Sequence, residues 1–228
     1  YGQHAEAMLS AGPAPSADHR PGSFFVRSGA PHVDLNQAAI FGDGDRRDAQ
    51  RIVDAALEAD VPVLLAASST LRDDVGEALG RGGFVLAATP EALFHGSSTP
   101  PVEPSAFQVR RVLTEIDRAG IGRVFAEAHG YDPRLVASMW GSALVDRDDV
   151  GGWIAWEGDD AVSCVFVTRV GSSLGFFDMM TPPRHRRRGA ARAVLTQALA
   201  DASSEGEPVD SIVFWSTPSA LSFASTWP

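Results

Sequence analysis

Residues 183–195 read PRHRRRGAARAVL. The stretch holds five of the nineteen Lys and Arg residues of a 228-residue chain whose formal net charge is -10. Ala191, Val194, Leu195, Ala198 and Leu199 recur at helical spacing, so the cations stand where a helix begins. The positive end of a helix dipole is a poor place for cations. A bound anion removes the conflict. A helix N-terminus offers unpaired N–H groups and a positive dipole. Small residues at 189–191 let an anion reach the backbone, and arginines supply charge and forked donors for phosphate oxygens. Two other readings of the cluster remain: a solvated basic face with no ligand, and a nucleic-acid contact. The second lacks a further basic patch and conflicts with the acidic remainder.

The flanking elements give the stretch its context. SLGFFDMMT (173–181) reads as a strand, and two prolines stop ladder pairing after Thr181. The helix covers 190–203. Upstream, FQVRRVL (107–113) alternates apolar and polar residues and reads as a strand. TEIDRAGIGRVFAEAHG (114–130) opens with Thr114 and, three residues on, Asp117, a capping-box pattern. Ile116, Ile121, Val124 and Phe125 then follow helical spacing. Asp132 as N-cap and Pro133 at the first helical position open a second helix, with Leu135, Val136, Met139 and Trp140 as its apolar stripe. VGGWIAWEGDDAVSCVFVTRV (150–170) reads as a hairpin around Gly158-Asp159-Asp160. SIVFWST (211–217) is a strand, and PSALSFASTW (218–227) begins a last helix. The order from residue 107 is β-α-α-β-β-β-α-β-α.

Arg186-x-x-Gly189-x-Ala191, after a strand ending Met179-Met180-Thr181, resembles the R/Q-x-x-G-x-G/A motif of the GNAT superfamily of acyl-CoA-dependent N-acyltransferases. The six-residue pattern alone is weak, because Arg/Gly/Ala runs are frequent. The element order of 107–227 is also similar to the family fold, which strengthens the resemblance. The expected fold class is α/β (α+β): a mixed central sheet flanked by helices, preceded by a partial GNAT-like half. The resemblance implies acetyl-CoA (coenzyme A) as acyl donor. Its diphosphate is expected on the amides of Arg187, Arg188, Gly189, Ala190 and Ala191, with Arg186 beside it and Arg192 either helping or solvent-exposed. The backbone of Met179, Met180 and Thr181 is expected to face the thioester and the pantetheine arm, where the strand splays from its neighbour.

The implied reaction is transfer of an acetyl group to a primary amine of a small molecule or peptide by direct attack. An alkyl ammonium, with a pKa of about 10, is not nucleophilic at neutral pH, so the site must help remove a proton. Asp178 is the first candidate for that base, unless its side chain faces the other way or caps a turn. Glu127, His129 and Glu157 are weaker candidates, and His129 is equally well explained as a cation at a helix end. The pattern departs from the family on the last helix. Many members carry a tyrosine there that protonates the leaving thiolate, but Ala224 takes that position and the chain's two tyrosines are Tyr1 and Tyr131. The alternative function is therefore a catalytically weak or inactive acyl-CoA-binding regulatory or structural module. The chain stops at Pro228, where the family continues with Gly-Phe and a terminal strand or two. Missing residues, the N-terminal segment or another subunit of a homodimer are the alternatives for that wall.

The N-terminal segment partly repeats the helix–strand–helix unit. DAQRIVDAALEA (48–59), VPVLLAAS (61–68) and STLRDDVGEALGRGGF (69–84) parallel residues 189–200, 209–216 and 217–227, which is consistent with an internal duplication. Its counterpart of the phosphate loop, FGDGDRRDAQ (41–50), places Asp43, Asp45 and Asp48 where they would repel a diphosphate. The expected division is a degenerate half over 1–97, a Pro/Ser-rich linker over 98–106 and an acetyltransferase domain over 107–228. GGFVLAATPEALFH (82–95) reads as the first half's own terminal strand, and AGPAPSADHRPGS (11–23) reads as a loop.

Composition sets outer bounds. Hydrophobic content of 44% and charged content of 21% are those of a globular protein. The single cysteine, Cys164, excludes an intrachain disulfide and a multi-cysteine metal site, and it fits a reducing cytoplasm, the expected location. As a strand residue it reads as a small hydrophobe rather than an acyl carrier. Trp140, Trp153 and Trp156 read as core and cleft lining, with a cation cage as the alternative. No run of about 18 apolar residues is present, so no membrane partner is expected. The acidic balance opposes nucleic acid as a partner and suits amine substrates.

Overall fold

The computed structural model describes residues 2–9, 16–27, 33, 36–40, 45–59, 62–67, 73–85, 92–96, 105–132, 136, 147–205 and 208–216. By contact density the chain divides into two compact units, His4–Thr89 and Pro90–Pro228.

The second unit is built on a six-stranded sheet. In chain order its strands are β5 (Ala92–Gly96), β6 (Gln108–Arg111), β7 (Val150–Glu157), β8 (Asp160–Val170), β9 (Ser173–Met180) and β10 (Ser211–Ser216). Their spatial order is β5-β10-β9-β8-β7-β6. All neighbours are antiparallel except β9 and β10, which are parallel. A parallel pair needs a crossover, and the helix over Ala190–Ser204 provides it. The hairpin expected around Gly158 is present, with Gly158 at φ 60 in the turn between β7 and β8.

The run of buried residues along β7 and β8 shows that both sheet faces are covered. Trp153, Ala155, Val165 and Val167 pack against Val194, Leu195, Ala198 and Leu199 of the crossover helix. Ile154, Trp156 and Phe166 meet the helix over Glu115–His129. Phe125 of that helix lies 6.0 Å from Phe166 between ring centroids. A Cβ on its Gly120 would come within 2.6 Å of Ile154 and 2.8 Å of Trp156, so this glycine permits the close approach. Ile121, Val124 and Phe125 are buried as their spacing predicts, but Ile116 is 67% exposed. It sits in the first turn, beyond the strip that reaches the sheet.

The Thr114 N-cap is formed, but Asp117 answers through the Thr114 hydroxyl, so the pattern is not a full capping box. The Asp117 N–H donates to the Thr114 hydroxyl at 3.3 Å, and the hydroxyl donates to the Asp117 carboxylate at 2.8 Å. Arg110 of β6 donates to the same carboxylate at 2.8 Å and ties the edge strand to the helix start. Burial acts to raise the Asp117 pKa, but the Thr114 hydroxyl and the Arg110 guanidinium outweigh it and hold the carboxyl below its ordinary range. The helix expected from Asp132 onward and the last helix with Ala224 lie outside the described residues, apart from Asp132 and Val136.

The first unit has a four-stranded sheet: β1 (Ser16–Arg20), β2 (Ser23–Arg27), β3 (Asn36–Ile40) and β4 (Leu64–Ala67) in that spatial order. Its helices are α1 (Gly2–Leu9), α2 (Arg46–Ala59) and α3 (Asp73–Arg81), and those of the second unit become α4 (Glu115–His129) and α5 (Ala190–Ser204). Ala49, Ile52 and Val53 of α2 and Val75, Ala78 and Leu79 of α3 form a core with Phe25, Ala38 and Ile40. The loop expected over 11–23 is corrected. Residues 16–20 form β1, which turns through Pro21-Gly22 into β2. β1 pairs on one side only and none of its side chains is buried, so it leaves no period-2 apolar signal.

The units share a connectivity. In the first, β2–β3 is antiparallel, β3–β4 is parallel and α2 crosses between β3 and β4. In the second, β8–β9 is antiparallel, β9–β10 is parallel and α5 makes the crossing. Residues 92–96, read above as the first half's own strand, instead pair antiparallel with β10 in the second sheet, from Ile212↔Gly96 to Ser216↔Ala92.

Candidate active site

The site is assembled from the C-terminal end of β9, the loop 181–189 and the start of α5. On β8 only Val165 separates Cys164 from Phe166, whereas on β9 two residues, Asp178 and Met179, separate their partners Met180 and Phe177. This is a β-bulge. Strict alternation from Leu174 and Phe176, both in the α5-facing core, would drive the Asp178 side chain into that core. The extra residue avoids it: Asp178 is exposed at φ 49, and Met179 packs against the core instead. Aspartate tolerates the left-handed region better than most residues. On the other edge of β9, the β9–β10 ladder ends at Phe176↔Phe214, while β8 follows β9 to Met180. β9 therefore splays from β10 over its last residues, as the resemblance implies.

The strand exit is clamped. Buried Ser163 of β8 donates to the Met180 carbonyl at 2.8 Å and lies 2.9 Å from the Thr181 hydroxyl. Arg186 Nε donates to the Thr181 carbonyl at 3.0 Å. A single 3-10 turn, Pro183–His185, leads on to Arg186, and the chain then visits the left-handed region at Arg187 (φ 61) and Gly189 (φ 88).

The arginines divide into two sets. Arg184 donates to both oxygens of Glu127 on α4 (2.6 and 3.0 Å) and both oxygens of Asp160 on β8 (2.6 and 3.0 Å). Hydrogen bonds from Arg184, with its charge, hold the Asp160 carboxyl below its usual range, and Arg184 itself is raised by Glu127 and Asp160. His185 is buried, with Nε2 3.3 Å from Asp160 Oδ2 but off the hydrogen-bond direction, and Nδ1 3.3 Å from Arg188. Arg188 donates to Glu157 at 2.5 Å. Glu127 and Glu157 are thus engaged by arginines. Arg187 and Arg192 make no ion pair with a described residue. The sequence reading missed Arg184, His185, Asp160 and Ser163. Only Arg184 and His185, inside the decisive stretch, carried a local signal.

At the start of α5, Gly189 takes the N-cap position with no side-chain cap, and the first turn contains no acid. The first helical bond is Ala193 N–H to Gly189 C=O at 2.9 Å, so the amides of Ala190, Ala191 and Arg192 precede the intrahelical ladder. Ala190 rather than Ala191 is the buried small residue of this turn.

No protein-family model and no curated protein matches the chain. Among solved structures, a GCN5-related N-acetyltransferase from Kribbella flavida superposes with a TM-score of 0.61 and 13% identity, over 93% of this chain and 84% of its own. The protein has the GNAT fold. An aminoglycoside acetyltransferase from an uncultured soil sample aligns with 18% identity over 52% of this chain and 88% of its own, TM-score 0.45. The ribosomal-protein-S18-alanine N-acetyltransferase from Escherichia coli aligns with 15% identity over 53% and 75%, TM-score 0.41.

The residues at the start of α5 fit the acyl-coenzyme A that the GNAT fold implies. A Cβ built on Gly189 meets nothing within 4 Å, so the approach to the helix start is open. The uncapped amides and the exposed Arg187 match the donors that a diphosphate requires. Cys164 does not suit an acyl carrier. Burial first, then the Asp178 charge, push its thiol far above its ordinary value, and the Met180 N–H offsets this only in part. Trp153 and Trp156 are core residues, with Arg111 5.5 Å from the Trp153 ring centroid and Arg110 5.1 Å from that of Trp156. His129 is the last residue of α4 and stacks on Tyr131 at 5.2 Å, which suits the helix-end reading. Among the described residues no helix is long and apolar enough to cross a membrane.

Proposed function

We propose that the protein is an N-acetyltransferase that moves an acetyl group from acetyl-CoA to a primary amine of a small molecule or peptide by direct attack. The observation that carries the reading is the pairing of an uncapped helix start with a bulged, splayed strand end beside it. The amides of Arg187 to Ala191 would hold the diphosphate, with Arg187, Arg192 and the terminal nitrogens of Arg186 adding charge. The main chain of Met179 to Thr181 would line the pantetheine arm. Acetyl-CoA, when bound, supplies the acetyl group as a thioester.

The remaining chemistry falls to this chain. The acceptor ammonium must lose a proton before its nitrogen can attack. Asp178, exposed at the bulge of β9 next to the main chain that would line the pantetheine arm, is the candidate to take that proton. The N-terminal unit reads as a degenerate GNAT half, supported by its shared β-α-β connectivity. One observation favours a second reading, an acyl-CoA-binding module without turnover: the chain's only tyrosines are Tyr1 and Tyr131. A thermal shift with acetyl-CoA tests binding, and thiol release over a panel of amines tests turnover. A shift with turnover is expected. A shift without turnover on any amine selects the module, and no shift with any acyl-CoA overturns both readings.

A further inference from the structure

We propose that Arg184 is a positioning residue for the anion-binding loop, acting through Glu127 and Asp160 rather than by touching the ligand. The inference rests on the coenzyme A reading above and adds a residue that the R/Q-x-x-G-x-G/A motif does not contain.

The loop needs external support. Residues 186–189 are all exposed, so no core packing shapes them. Two of them hold left-handed backbone, and for Arg187, at φ 61, that conformation is strained by its side chain. Such a conformation persists only where its surroundings over-determine it. Arg184 stands at the loop entrance and uses its whole donor edge, forking onto Glu127 with Nε and Nη2 and onto Asp160 with Nη1 and Nη2. It thereby joins three segments that are distant in sequence: α4, the start of β8 and the loop. Asp160 also lies 3.3 Å from buried His185, so one carboxylate meets two successive loop residues. An isolated exposed ion pair does little. A planar guanidinium shared by two carboxylates fixes direction as well as distance, which a lysine cannot reproduce.

The test is calorimetric titration of coenzyme A into the full chain and four variants: Arg184→Gln, Arg184→Lys, Glu127→Gln/Asp160→Asn, and the triple substitution that combines Arg184→Gln with the carboxylate pair. Arg184→Gln is expected to weaken coenzyme A by about tenfold, which is about 1.4 kcal/mol of binding free energy. Arg184→Lys is expected to do the same. Glu127→Gln/Asp160→Asn should match Arg184→Gln, and the triple variant should be no worse than either. Affinity for pantetheine, which lacks the diphosphate, should not change, whereas general structural damage would lower it. If Arg184→Gln still weakened coenzyme A in the Glu127→Gln/Asp160→Asn background, Arg184 would be a direct phosphate ligand and the proposal would fall. Unchanged affinity in Arg184→Gln would overturn it alone. No binding by the wild-type chain would overturn the cofactor reading itself.

Discussion

The β3-α2-β4 unit and the β9-α5-β10 unit have the same connectivity and opposite ends. In the first, the β3–β4 ladder runs to the last residue of both strands, Ile40↔Ala67. The helix after it is closed by carboxylates. Asp45 accepts from the amides of Arg47 (2.7 Å) and Asp48 (3.1 Å), and Asp48 accepts from the amide of Asp45 (3.0 Å), a reciprocal capping box. In the second, the ladder stops at Phe176 and the helix begins at a left-handed glycine with no cap. One helix carries its anion covalently, and the other leaves the place open. Leaving out a cap costs about 1 kcal/mol of stability, a cost that a ligand's binding energy can offset. Under the proposed function, one crossover is scaffold and the other binding site without a change of topology.

The largest effect is expected at the strand end, where only the second unit is open. Asp178→Asn keeps a side chain that tolerates the left-handed backbone and removes the base. It should lower kcat by about 10²-fold or more with coenzyme A affinity intact. A wild-type kcat would place the base elsewhere. Gly189→Asp should turn the second helix start into a copy of the first and weaken acetyl-CoA by about a hundredfold, the order of 3 kcal/mol, as read by titration. Unchanged affinity would show that the two helix starts do not differ in the way described.

Two smaller effects concern caps that stay closed. Asp117 titrates below its ordinary range in the folded chain, so its stabilisation is complete above the unfolded pKa of about 3.9 and is lost as pH falls through the folded value. Asp117→Asn should cost about 2 kcal/mol at neutral pH and remove that component of acid unfolding, measured by denaturant melts between pH 2 and pH 7. A variant with the wild-type acid limb would rule the carboxylate out. Asp45→Ala should cost the first unit about 1 kcal/mol without affecting coenzyme A binding. A loss of binding would mean that the first helix start is no mere scaffold.

What the sequence made legible was local. The strand, basic loop and helix at 173–204, the Thr114–Asp117 cap and the hairpin at Gly158 each rest on residues a few positions apart. What it hid was long-range or irregular. β1 is exposed and has no apolar alternation. β5 lies beside a Pro/Ser-rich stretch and pairs with a strand more than a hundred residues away. The bulge breaks the alternation at Asp178, and the partners of Arg184 and Arg188 come from α4 and the β7–β8 hairpin. The sequence points to Arg186, Arg187 and Arg188 for the anion, with Arg192 either helping or solvent-exposed, and gives Arg184 no role. In the fold, Arg184 and Arg188 are matched by carboxylates and Arg186 Nε braces the strand exit, which under the proposed function leaves the anion to the backbone amides, Arg187, Arg192 and the terminal nitrogens of Arg186.

The central claim is that the backbone at the start of α5 receives a coenzyme A diphosphate. It is tested most directly by titrating acetyl-CoA into the wild-type chain and Gly189→Val. A β-branched residue at φ 88 cannot keep the turn, and an exposed loop position should leave the core folded. The account predicts binding by the wild type and none by the variant, with the variant's thermal unfolding within a few degrees of wild type. Equal affinity in the two proteins would contradict it.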